Sequence, residues 1–185
     1  MISVKDIVLL AAELVDVKEY VDDFVAGNVN ADNQRVIDGL VQCFNLVENE
    51  LALDYLPLVK EDTISTADGC IPYSTLHQKA AYIIGVYDRF ENSVQAKRFA
   101  THLQTSPGEY VVRYAAIPAE KGMEDASEYE IGVSERTFAY GVAAEYCLLK
   151  GLQAESAVWD KKYKKALAEI FRAKGSKRVK ARSWV

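Results

Sequence analysis

Apolar residues recur at helical spacing near both ends of the chain, and at a shorter period in its middle. Residues 4–24 and 32–56 each place an apolar side chain at every third or fourth position, which predicts one amphipathic helix apiece. The polar stretch Asn28–Asn33 supplies a cap for the second helix, and Pro57 marks its end. Residues 1–58 are therefore predicted to be the N-terminal helices of a helical unit.

The period changes between residues 59 and 131. Short runs rich in strand-forming residues alternate there with turn signals such as Ala67-Asp68-Gly69. In the last run Tyr110, Val112 and Tyr114 fall on one face, as in a strand with one buried side. We predict an inserted antiparallel β-domain over 59–131, with successive hairpins arranged as a meander.

Helical spacing returns over residues 132–173. Ser134 is suited to cap the first helix, and Gly151 to end it in the left-handed conformation. The link after Gly151 is so short that the two helices should pack antiparallel. The second helix is expected to turn these side chains inward: Trp159, Tyr163, Ala166, Leu167, Ile170 and Phe171.

The predicted fold class is thus α+β. About four helices from both chain ends form the helical unit, the small antiparallel β-domain is inserted between them, and residues 174–185 form an extended C-terminal arm.

Charge is divided unevenly along the chain. The formal net charge is −5, but residues 161–185 hold ten basic side chains and one acid, Glu169. That segment is therefore +9, which leaves −14 for residues 1–160. Such asymmetry favours binding to an acidic protein partner, to nucleic acid, or to the acidic surface of a sister subunit.

The arm at residues 174–185 has no helical stripe. If it is extended, Arg178, Lys180, Arg182 and Trp184 share one face and smaller side chains occupy the other. Such a strand suits the edge of another protein's sheet, and Arg and Trp are frequent interface anchors. A solvating tail and a phosphate-binding tail remain alternatives. The predicted partner-binding residues are Lys177, Arg178, Val179, Lys180, Arg182 and Trp184.

Catalytic and cofactor motifs are absent from the sequence. His77 and His102 have no metal-ligand spacing around them, no nucleophile motif is present, and the glycines form no phosphate-binding loop. The three cysteines are expected to be free thiols, and no run is long and apolar enough to span a membrane. We therefore expect a protein that is not an enzyme and needs neither metal nor cofactor.

The C-terminal third resembles the ends of phage and prophage head–tail connector (portal adaptor) proteins. The matching residues are Ala139–Leu148, Trp159-Asp160, Tyr163-Lys164 and Arg182-Ser183-Trp184. Glu48–Leu58 and Asp68–Ser74 also look similar to segments of such proteins.

This resemblance implies a structural virion protein that assembles as a ring, typically twelve-fold, on the portal protein. Its arm would dock on the portal, a downstream tail or neck protein would bind the ring, and DNA would pass through the channel without sequence recognition. The protein would be made in the host cytoplasm and reside in the virion neck. The alternative is a DNA-binding accessory protein that uses the basic arm. A third hypothesis, an enzyme using a loop carboxylate such as Glu124, has no further residues to support it.

Overall fold

A computed structural model describes residues 2–175, and the side chains as far as residue 172. These residues form five α-helices and two small antiparallel sheets, which confirms the α+β prediction. The helices are α1 (Val4–Leu14), α2 (Lys18–Val25), α3 (Ala31–Glu50), α4 (Glu135–Leu149) and α5 (Gln153–Gly175). The strands are β1 (Leu58–Thr66), β2 (Cys70–Pro72), β3 (Ala80–Tyr87), β4 (Lys97–Arg98), β5 (His102–Gln104) and β6 (Gly108–Ala116).

The chain divides into two compact units. Residues 2–47 and 121–175 make the helical unit. Residues Glu48–Glu120 make the β-unit, which also contains a single π-helical turn, Leu51–Tyr55, after α3.

Aromatic and aliphatic side chains from α1, α3 and α4 fill the core of the helical unit. Phe44 of α3 and Phe138 of α4 are fully buried, with ring centroids 5.5 Å apart. Tyr129, in the loop before α4, adds a third ring 6.1 Å from that of Phe138. The buried face of α1 consists of Val4, Ile7, Val8, Ala11 and Ala12. This apolar burial is the main source of stability for the unit.

The predicted N-terminal helix is divided in two. Asp16 adopts the left-handed conformation, with φ 58°, and separates α1 from α2. The amide of Val17 donates to the carbonyl of Ala12 at 2.9 Å, which closes the end of α1. Aspartate tolerates this conformation better than most residues, so the break needs no glycine. The apolar stripe continues through the break, and for that reason the spacing alone predicted one helix.

The other predicted helix ends are confirmed. The Asn30 side-chain oxygen accepts from the amides of Asp32 and Asn33, both at 2.9 Å, at the start of α3. Ser134 Oγ accepts from the amide of Thr137 at 3.1 Å at the start of α4. Gly151 has φ 77° in the link to α5. Local sequence decides these features because each cap bonds within a few residues of itself.

The predicted meander is wrong. The larger sheet has the order β1-β6-β3, so the last strand pairs with the first along nine residues and also with the third. The smaller sheet has the order β2-β5-β4. Strands β4 and β5 of this sheet form a short hairpin, in which the amide of Phe99 donates to the carbonyl of His102 at 2.9 Å.

Candidate docking surfaces

The predicted docking residues lie beyond the described part of the chain. Lys177, Arg178, Val179, Lys180, Arg182 and Trp184 all follow residue 175, where the description of α5 ends. The described surface that leads to them is α5 itself.

α5 buries few of its described side chains. Tyr163 and Leu167 are buried, while Trp159, Ala166 and Ile170 are half-buried. Phe171, which the spacing predicted to face inward, is exposed. The helix packs against α4, and most of its described residues are exposed to solvent.

The open side of α5 is basic. Its five exposed cationic side chains are Lys161, Lys162, Lys164, Lys165 and Arg172. Lys164 pairs with Asp160 at 2.7 Å, in the i,i+4 arrangement. The basic segment identified in the sequence therefore begins as a solvated helical face.

A stack of aromatic and cationic groups lies between α4 and α5. The rings of Tyr140 and Trp159 are nearly parallel, with centroids 5.9 Å apart. The Lys162 ammonium lies 3.9 Å from the Trp159 ring centroid, and the Arg136 guanidinium lies 5.5 Å from that of Tyr140. These cation–π contacts fix the orientation of two half-buried rings at the surface. The helical period did not distinguish this surface position from a core position for Trp159.

A second candidate surface is a groove in the β-unit, with a volume of about 630 Å³. The buried side chains of Leu76 and Ile83 and the half-buried ring of Tyr73 line it. Tyr73 is held in place because its hydroxyl donates to the carbonyl of Phe99 at 2.9 Å. The sequence analysis did not identify this groove, since its lining comes from a short 3₁₀ turn, a loop and two strands.

The loop beneath the groove is anchored by a tyrosine–carboxylate pair. The Tyr114 hydroxyl donates to Asp62 Oδ2 at 2.9 Å and accepts from the amide of Gln78 at 3.2 Å. The amide of His77 donates to the same carboxylate oxygen at 2.6 Å. Burial, together with the neighbouring Asp62, raises the pKa of Tyr114. The hydroxyl therefore stays protonated and can donate to Asp62.

Aromatic rings on a sheet can stack against nucleic-acid bases, but Tyr110 and Tyr114 of β6 are not available for that role. Tyr110 and Tyr114 are buried in the core of the β-unit, on the same face of β6 as Val112. Their burial confirms the predicted strand face. The nucleic-acid interpretation based on these two rings is wrong.

The cysteines form no disulfide, and two of them are protected by burial. Burial raises the pKa of Cys43 from 9.0 to about 12, and burial also raises the pKa of Cys147. A thiol with a raised pKa is a poor nucleophile. Across residues 2–175 there is no group of three or more His, Cys, Asp or Glu side chains arranged to hold a metal ion. None of the described helices combines the length and apolar character that crossing a membrane requires.

Comparison with protein-family models and with curated proteins found no match for this chain.

Proposed function

We propose that this chain is a structural virion protein of the head–tail connector (portal adaptor) class. It acts by assembling as a ring on the portal protein, and residues 174–185 dock on that partner. A downstream tail or neck protein binds the ring, and DNA passes through its channel without being read. No step of this function needs catalysis or a cofactor.

The observation that carries the proposal is the continuity of positive charge from α5 into the arm. The basic side chains of α5 as far as residue 172 are exposed, and the sequence continues with Lys177, Arg178, Lys180 and Arg182. A long basic segment at the end of an otherwise acidic chain is suited to a neighbouring protein with complementary charge. The net charge of −14 over residues 1–160 would repel DNA from a channel wall, which favours sliding.

The test is co-sedimentation with a portal ring from the same genome. The full chain is expected to bind, whereas a version ending at Ala173 should not. A charge-reversed arm, Arg178→Glu with Arg182→Glu, should also lose binding. A matched reversal in the β-unit, Arg89→Glu with Lys97→Glu, changes the net charge equally and should leave binding intact. Binding that survives removal of residues 174–185 would refute docking through the arm.

The second candidate is a DNA-binding accessory protein, and one observation favours it. Lys162 and Trp159 lie together on the basic face of α5, and the combination of a cation with a half-buried ring at the surface suits nucleic acid. This function predicts an affinity for duplex DNA that falls steeply with salt concentration, because bound counterions are released. No binding of duplex DNA at low salt would exclude it.

A further inference from the structure

The groove of the β-unit borders the edge of a strand. Four consecutive residues of β3, Ala80, Ala81, Tyr82 and Ile83, line it. Successive side chains of a regular strand point to opposite faces, so a cavity that touches both Tyr82 and Ile83 must reach the strand edge between those faces. The groove therefore offers backbone groups as well as side chains.

This edge is open where the groove lies. Within the described sheet β3 has β6 as its one partner strand, so its other edge faces outward. Further along, that edge is covered: the carbonyl of Val86 accepts from the amide of Val94 at 2.8 Å, and Arg98 Nη2 donates to the carbonyl of Ile84 at 3.4 Å. The first half of β3 is left for a ligand.

Shifts in strand register limit the length of that ligand. The pairing of β3 with β6 slips between Ala80 and Tyr82 and again between Ile83 and Gly85. A bulge bends a strand edge and interrupts regular pairing, so the first shift falls among the groove-lining residues 80–83 and the second ends the stretch after Ile83. The edge therefore has room for an extended segment of at most about four residues, roughly 13 Å at the usual rise of a strand.

The charge of the groove selects the kind of segment. Lys79 and Arg98 are exposed at the groove, and none of the described residues that line it is acidic. The remaining contacts are mostly apolar, from Leu76, Ile83 and Tyr73. Like charges would repel the chain's own basic arm, so the arm is not the occupant.

We propose that this groove binds a short extended segment of another protein, in which acidic and aliphatic side chains alternate. Its backbone adds to the open half of β3, one carboxylate meets Lys79 and Arg98, and an aliphatic side chain enters between Leu76 and Tyr73. This site is separate from the arm and does not depend on the connector assignment.

The test uses the full chain and blocked five-residue peptides. An acetylated, amidated peptide of alternating glutamate and valine is titrated while the backbone amides are followed by NMR. The amides of residues 80–83 should shift. The lysine–valine counterpart should bind at least about tenfold more weakly, because its charge is reversed. A glutamate peptide with N-methylated backbone amides should also bind about tenfold more weakly, because it cannot donate hydrogen bonds to the strand edge.

Paired variants locate the site. The double variant Lys79→Glu with Arg98→Glu should weaken binding of the glutamate peptide at least about tenfold. The control double variant Arg89→Glu with Lys97→Glu should change that binding by less than about twofold. Lys97 and Arg98 are both exposed neighbours in β4, and their side chains point to opposite faces. Ser74→Trp retains every charge but fills the groove, so it should abolish binding. It serves as a second, independent test if the charge-reversed variant misfolds.

Several results would overturn the proposal. One is equal binding of the lysine and glutamate peptides, and another is an equal loss of binding in the two charge-reversed pairs. A third is the absence of any amide shift at millimolar peptide. Displacement of the peptide by a short single-stranded oligonucleotide that binds more tightly would assign the groove to nucleic acid instead.

Discussion

Replacing Gly141 with alanine should destabilise the helical unit, although alanine is the better helix former. Gly141 is buried in the middle of α4, where the backbone of that helix approaches α3. A Cβ atom at this position would lie 2.8 Å from Val47 Cγ1 and 3.1 Å from Val47 Cγ2. It would also lie 3.2 Å from Cε2 of Tyr163 on α5. Glycine is therefore required by the close approach of three helices.

The magnitude follows from two opposing effects. Alanine gains about 1 kcal/mol of helix propensity over glycine in a helix interior. Overpacking a well-filled core costs about 1–3 kcal/mol, and here the branched, fully buried Val47 cannot swing aside. Gly141→Ala should therefore lower the free energy of unfolding by up to about 2 kcal/mol, as the net of the two effects.

The assay is urea unfolding of the full chain, followed by the helical circular dichroism signal. Gly39→Ala is the matched control, because the nearest atom to its Cβ would be Tyr146 Cε2 at 3.2 Å, so a shift of a few tenths of an ångström suffices, and no atom lies as close as Val47 Cγ1 does to position 141. It should be neutral or stabilising. Val47→Ala removes both clashing methyl groups, so Gly141→Ala should cost less in that background. A Gly141→Ala protein more stable than the parent, or an unchanged cost in the Val47→Ala background, would refute the steric explanation.

Three further predictions concern a cap, a buried network and the thiols. Ser134→Ala should cost about 1 kcal/mol of stability in the same urea assay, because α4 loses its N-cap acceptor. A loss smaller than the error of the assay would contradict a stabilising role for this cap. Asp62→Ala should lower the free energy of unfolding by about 1–3 kcal/mol and should lower the urea midpoint of the β-unit, since the buried Tyr114 hydroxyl loses its acceptor. Asp62→Asn keeps an oxygen acceptor and should therefore lose less stability. A thiol reagent at pH 8 should label the half-buried Cys70 first and reach Cys43 only on unfolding, because the pKa of Cys43 is raised to about 12. Cys43 ionises more readily in the unfolded chain than in the folded one. The stability that its buried, protonated thiol contributes should therefore be complete below pH 9 and lost as the pH rises towards 12. Comparison with Cys43→Ala over that pH range isolates the effect, and equal pH dependence of the two proteins would contradict it.

Local chemistry made the helices, their caps and the buried face of β6 predictable from sequence. Leu40 and Phe44 lie on the apolar stripe of α3 and are buried, as its spacing indicated. Ser134 and Gly151 mark the ends of α4 as expected. Each of these features depends on residues only a few positions apart. The concentration of positive charge in residues 161–185 could also be counted from the sequence, without a structure.

Tertiary structure alone decided which strands pair and which side chains line a surface. β6 could have continued a meander, but it lies between β1 and β3, because pairing energy comes from long-range backbone contacts that a local pattern does not encode. For the same reason, the groove beside β3 could not be found in the sequence, since residues from Tyr73 to Arg98 meet there only after the strands pair. Trp159 has core spacing but lies at the surface, because α5 packs along one side. Periodicity fixes the face of a helix, whereas the neighbouring elements decide how much of that face is covered.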